Sequence, residues 1–190
     1  MRYWIVNRAG RSIALIGMMG AGKSSVGRCL NRRTGMALRD TDEIVASNFR
    51  MSVAEIFAEH GEKKFREAET EALRRIRTEE QTIIITGGGV VLRRENVEIL
   101  RSQAVIVWLD GEEEMLFTRA VREQNRPLLK TKNPRKTFSR ILCLRRPLYA
   151  GIADIRIDTS GLTDEEAGVA ILTKLSRMNL KTEPPIGSKA

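Results

Sequence analysis

Two cysteines and a single histidine are all that the 190-residue chain offers of the softer metal-binding and nucleophilic side chains. Cys29 and Cys143 stand far apart and form no C-x-x-C pair, which argues against a zinc site and against a disulfide framework. Two reduced, buried thiols are expected instead, as suits a cytosolic protein. His60, in "AEHGE", is expected only to end a helix and is given no catalytic part. No apolar run approaches the roughly 20 residues that span a bilayer. The start "MRYWIVNRAGRS" lacks the long apolar stretch and small-residue cleavage site of a secretion signal. The expected location is the cytoplasm, with no membrane partner. Aromatic residues make up 5% of the chain and show no interleaved aromatic and basic stacking pattern, so a nucleic-acid partner is not expected.

What is abundant is positive charge, +9 in all. Phosphate-bearing partners of any kind would reward it. Yet the cations are interleaved with acids, as in "EKKFREAETEALRRIRTEE", the pattern of a solvated helix face. The length allows one sizeable core rather than two ordinary domains. A single domain over residues 1–190 is expected, with its core at about 12–178 and a disordered polar tail at 179–190.

The stretch "GMMGAGKSS", Gly17 to Ser25, fits G-x-x-x-x-G-K-[ST] at every specified position. "SIALI", Ser12 to Ile16, reads as a buried strand before it, and Lys23 to Thr34 as a helix stopped by Gly35. That strand and helix are the context in which such a loop binds phosphates. Further on, Ser52 with Glu55 forms a capping box for a short helix carrying Ile56 and Phe57. Gly61 separates it from a longer helix, Glu62 to Thr78. "TIIIT", Thr82 to Thr86, reads as a central parallel strand that runs into Gly87, Gly88 and Gly89. A helix around Glu95 to Ser102, a strand from Ala104 to Leu109, and helices over Glu112 to Arg122 and from Thr137 follow. A last strand, "DIRIDT", and a helix capped by Thr163 with Glu166 complete the chain. Strands alternating with helices predict an α/β layered fold with a parallel sheet. The basic, proline-broken stretch around Arg126 is the candidate for a mobile lid.

The chemistry follows from residue types. Loop glycines let backbone N–H groups turn onto phosphates, Lys23 reaches the β and γ phosphates, and the Ser24 hydroxyl suits Mg²⁺. Asp40 and Asp42 leave a strand in different directions, so one can face a metal and the other an acceptor hydroxyl. Asp42 would serve equally well as the cap of a helix opening at Glu43, and the residues alone leave both readings open. Arg66 and Glu69, three apart on a helix, form either an ordinary surface ion pair or a guanidinium held ready for a carboxylate. The three glycines end a parallel strand at the edge where ligands bind. Arg119, Arg126 and Arg145 lie in or near the lid, where a cation closing over the transferring phosphate would offset its charge.

Taken together, "GMMGAGKSS", the D-x-D of "RDTDEI", "FREAE", "TGGG", "RPLL" and "RRPLY" resemble the shikimate kinase family, in its order and at closely similar separations, from about Ser12 to Met178. The resemblance implies a five-stranded parallel sheet of order 2-3-1-4-5 in the nucleoside monophosphate kinase manner, with a mobile lid. It implies phosphorylation of the 3-hydroxyl of shikimate by ATP with Mg²⁺, by a monomer. Asp42 would hold and activate the hydroxyl, with Lys23 and Arg126 completing the catalytic set. Arg66 and Arg145 would bind the acid's carboxylate, and the backbone of Gly88 and Gly89 would meet the substrate. Gly20, Ala21, Gly22, Lys23, Ser24 and Ser25 would form the phosphate cradle, and Arg126 would touch the phosphates. Arg119 would lie against adenine. Ser24 and Asp40, the latter through water, would support the metal. Leu38 and Val45 depart from the family's usual residues without touching the chemistry, Ser25 in place of the more frequent Thr is a mild change, and the segment before Ser12 has no assigned role. Rival readings are a gluconate kinase of the same fold, a nucleotide-binding module without turnover, and a nucleic-acid binder favoured by charge alone.

Overall fold

In the computed structural model of the chain, residues 11–76, 80–122 and 126–182 are described, with side chains to 178. The segment before residue 11, Thr78 and the tail beyond 182 lie outside the described residues.

Five parallel strands form one sheet: β1 (Ser12–Ile16), β2 (Ala37–Asp40), β3 (Thr82–Ile85), β4 (Ala104–Asp110) and β5 (Ile155–Asp158), in the order β2-β3-β1-β4-β5. The expected topology holds. β1 sits centrally, with Ile13 beside Ile83 on one side and Val105 on the other. Its five residues are all buried, as a strand covered on both faces must be.

The helices are α1 (Lys23–Thr34), α2 (Thr41–Phe49), α3 (Val53–Arg75), α4 (Arg94–Gln103), α5 (Glu113–Arg122), α6 (Pro134–Ile152) and α7 (Asp164–Thr182). The crossovers β1-α1-β2 and β3-α4-β4 run in opposite directions along the sheet. Right-handed connection therefore puts α1 and α4 on opposite faces, where α7 joins α1 and α3 joins α4. A second small core of Val45, Ile56, Phe65 and Ala72 ties α2 to α3.

Local chemistry explains the boundaries. Gly35 ends α1 in the left-handed region, at φ 74°. The Ser52 and Glu55 capping box opens α3, and Gly61, at φ 76° and ψ 168°, breaks that helix where the sequence separates two. Three expectations need correction. α3 ends at Arg75, because Ile76 is already extended. α6 opens three residues before Thr137, because Asn133 caps Lys136 N–H and Pro134 in the first turn loses no hydrogen bond. Cys29 is buried but Cys143 is exposed on α6.

Candidate active site

The loop between β1 and α1 depends on glycine at two points above all. A Cβ on Gly20, at φ 81°, would fall on the Leu116 carbonyl oxygen of α5. Gly22, at φ 85°, caps α1 without a side chain, so the first N–H groups of the helix stay open to an anion. The first turn of α1 carries no acid, unlike that of α7, which begins Asp164-Glu165-Glu166. The positive end of the α1 dipole is thus left for a ligand. Lys23 folds back over the loop, its Nζ donating to the carbonyls of Gly17 at 2.9 Å and Met18 at 3.0 Å.

Beside this loop, β2 delivers the two aspartates. α2 begins at Thr41, two residues earlier than Glu43, and its cap is Asp40, whose Oδ1 accepts from the Asp42 N–H at 2.9 Å. Capping therefore does not account for Asp42. Burial, followed by the charge of Asp42, pushes the Asp40 carboxyl up to about 6. Burial raises the Asp42 carboxyl too, against the opposing pull of Lys23, Arg66 and Arg126. Asp42 Oδ1 is shut off from solvent and has no hydrogen-bond partner among the described residues.

On α3, Arg66 and Glu69 are no surface pair. Glu69 has no exposed side-chain surface and accepts from Arg66 Nη1 at 3.0 Å, while Glu62 holds Nη2 at 3.1 Å from the rim. The guanidinium carbon lies 5.2 Å from the Phe65 ring centre and 6.0 Å from that of Phe57, so its apolar face is covered and its edge is directed. Burial raises the Glu69 carboxyl, opposed chiefly by Arg66.

The glycine run at the carboxyl end of β3 is crowded from three sides. A Cβ on Gly87 would stand 2.5 Å from Glu69 Oε1 and 2.7 Å from Asp42 Oδ1. One on Gly88 would lie 3.6 Å from Arg145 Nη1, and one on Gly89 would overlap the Arg66 guanidinium. Arg145 comes from α6 and is 6% exposed.

These groups line one cavity of ≈ 310 Å³, which Gly20, Gly22, Lys23, Ser24, Ser25, Asp40, Asp42, Arg66, Gly88, Gly89, Arg126 and Arg145 share. Ala21 is buried behind it. Arg119 does not reach it; the Arg119 guanidinium meets the Thr159 carbonyl at 3.4 Å, at the carboxyl edge of β5. The sequence reading gave no site role to Phe57, which forms part of the wall, or to Tyr149, whose hydroxyl reaches Gly88. The spacing of Tyr149, four residues after Arg145 on one helix, carried that signal.

One end of the cavity is thus built for phosphates, the other presents two guanidiniums, and a carboxylate lies between. A family model described as shikimate kinase matches residues 19–176. A shikimate kinase of Thermodesulfovibrio yellowstonii is 40% identical over 169 residues, 89% of this chain and 97% of the relative. One from Moorella thermoacetica is 46% identical over 159 residues, 84% and 90% of the two chains. The solved structure of shikimate kinase from Acinetobacter baumannii in complex with shikimate superposes with a TM-score of 0.85 at 31% identity, covering 91% of this chain and 96% of its own. A gluconokinase from Sinorhizobium meliloti, at 18% identity and a TM-score of 0.56, shares the fold alone. By the family model and by these relatives, the chain belongs to the shikimate kinase family.

Proposed function

We propose that this chain transfers the γ-phosphoryl group of ATP to the 3-hydroxyl of shikimate, giving shikimate 3-phosphate and ADP on the route to chorismate and the aromatic amino acids, with the site residues acting as follows. The observation that carries the assignment of roles is Asp42 Oδ1, buried and without a partner between the Lys23 end of the cavity and the Arg66 end. A hydroxyl presented there would donate to Asp42, which orients it and accepts its proton as the new P–O bond forms. Arg66 and Arg145 bind the carboxylate of the acid, and their fixed edges set which ring hydroxyl faces Asp42. The backbone of Gly88 and Gly89 lies against the ring because no side chain intervenes.

Gly20 to Ser25 cradle the phosphates, Lys23 shifts from the loop carbonyls to the β and γ phosphates, and Arg126 covers the transferring group from the lid side. Arg119, outside the cavity, is the residue we assign to the adenine face. The oxygen donors Ser24 and Asp40 fit Mg²⁺, a hard cation that takes few protein ligands and shares the substrate's phosphates. Ser24 would hold it directly and Asp40 through water, and when bound it neutralises charge on the β and γ phosphates. A single catalytic domain acting as a cytoplasmic monomer completes the reading, with ATP and shikimate as partners. Among the described residues no helix is long and apolar enough to cross a membrane.

A coupled assay of ADP release with MgATP, comparing shikimate, gluconate and no acceptor, tests it. Turnover that requires shikimate is the expected result. Turnover with gluconate, or hydrolysis that ignores the acceptor, would overturn the assignment.

A further inference from the structure

The glycine run after β3 has no side chains to hold its peptide planes, so each carbonyl must be fixed from elsewhere if the wall is to keep one shape. Two are fixed locally, where the chain turns into a 3₁₀ helix: Val90 N–H donates to Gly87 at 3.1 Å and Leu92 N–H donates to Gly89 at 3.0 Å. The middle carbonyl, that of Gly88, is held from another element. The Tyr149 hydroxyl of α6 donates to it at 2.5 Å.

Tyr149 is well placed to act as a rigid strut. It is 1% exposed, and its ring lies 6.1 Å from that of Trp108 on β4, centre to centre. Burial pushes its hydroxyl up to about 12, so the group stays a neutral donor at any working pH. Arg145 lies one helical turn back on the same helix. Arg145 Nη1 in turn stands over Gly88. The hydroxyl thus holds the peptide beside which the Arg145 guanidinium stands.

We infer that Tyr149 is a positioning residue for the acid substrate: its hydroxyl locks the Gly88 peptide in one orientation beside the Arg145 guanidinium. This rests on the reading that Arg145 binds the shikimate carboxylate and that Gly88 and Gly89 face the ring. Because a peptide is planar, fixing the Gly88 carbonyl also fixes the direction of the Gly89 N–H, which belongs to the same plane. Tyr149 touches neither phosphate nor the reacting oxygen, so its loss falls on acceptor binding rather than on nucleotide binding.

The test is Tyr149→Phe, which keeps the ring against Trp108 and removes only the oxygen. Steady-state kinetics are measured with each substrate varied in turn, alongside the melting temperature of both proteins. The expected result is a shikimate KM raised about tenfold, the loss of roughly one hydrogen bond, with the ATP KM within about twofold of the parent protein's. A hydroxyl that serves folding alone would lower the melting temperature and leave the shikimate KM within about twofold, or raise both KM values together; either result overturns the inference. Absence of shikimate-dependent turnover in the unmodified protein would instead overturn the underlying reading, and that outcome is visible before the variant is made.

Discussion

Arg66 Nη1 donates to Glu69 at 3.0 Å, and the carboxylate that receives it has no exposed surface. Removing one partner of such a buried pair costs far more than removing a surface one. Glu69→Ala should therefore destabilise the protein by about 2–4 kcal/mol. It should also raise the shikimate KM about tenfold or more, because Glu62 alone then steers the guanidinium from the rim. Urea unfolding and shikimate-dependent kinetics on the same variant check both. A KM that stays at the parent value would mean that Arg66 needs no steering.

Asp42 gives the sharpest test of chemistry. Asp42→Asn keeps the shape but cannot accept a proton, so kcat should fall by about 10²–10⁴. Nucleotide affinity, measured by calorimetry with ADP, should change by less than about twofold. A variant that retained most of its turnover would remove Asp42 from the mechanism.

Two glycines differ in what a side chain would disturb. On Gly89 a methyl group would meet the Arg66 guanidinium, which yields only by loosening its pair with the buried Glu69. On Gly20 it would meet the backbone of α5, which cannot yield, at a φ of 81° that alanine avoids. Gly89→Ala should thus weaken shikimate binding and cost stability through the Arg66–Glu69 pair, whereas Gly20→Ala should cost about 2 kcal/mol or more through strain in the loop itself. Thermal melts beside kinetic measurements distinguish the two.

Asp40 carries a pH dependence of definite sign. Its carboxyl rises from an unfolded value of about 4 to about 6 in the folded chain. The folded state then holds the proton more tightly, so stability contributed here is present at low pH and lost as pH rises through that window. Asn caps a helix as well as Asp does. Asp40→Asn should match the parent at pH 4 and exceed its stability by about 1–2 kcal/mol at pH 8, while losing activity if Asp40 supports the metal. Melting curves at the two pH values decide the first claim, and the Mg²⁺ dependence of turnover decides the second.

The exposed thiol offers a simple check of the α6 surface. Cys143 should react with Ellman's reagent in the native protein, and Cys29 only after unfolding. Two thiols reacting natively would contradict the packing of α1 against α7.

Much of this architecture was legible before any coordinates, for identifiable reasons. "SIALI" and "TIIIT" could only be covered strands, and glycine at 17, 20 and 22 between strand and helix leaves little but a phosphate loop. What the sequence hid was direction and depth. Nothing in "FREAE" distinguishes a solvated Arg66–Glu69 pair from one sealed between α3 and the β3 edge, because that difference is made by the neighbours Phe57 and Gly87. The D-x-D segment concealed which aspartate caps α2, since either spacing satisfies a helix start; only the path of β2 into Thr41 decides it. Arg119, which the resemblance places at adenine, is turned by α5 toward the Thr159 carbonyl, outside the cavity.

The central seat of β1 has a consequence for how the protein is made. The phosphate loop is complete by Ser25, before β3 and β4 have been made, but the strand that anchors it needs β3 on one edge and β4 on the other. A nascent chain that has not yet reached Ala104 offers β1 at most one neighbour and leaves its other edge open. Such edges recruit other strands. The phosphate loop therefore emerges before both neighbours of its strand, and chaperone occupancy during translation should stay high until β4 has emerged.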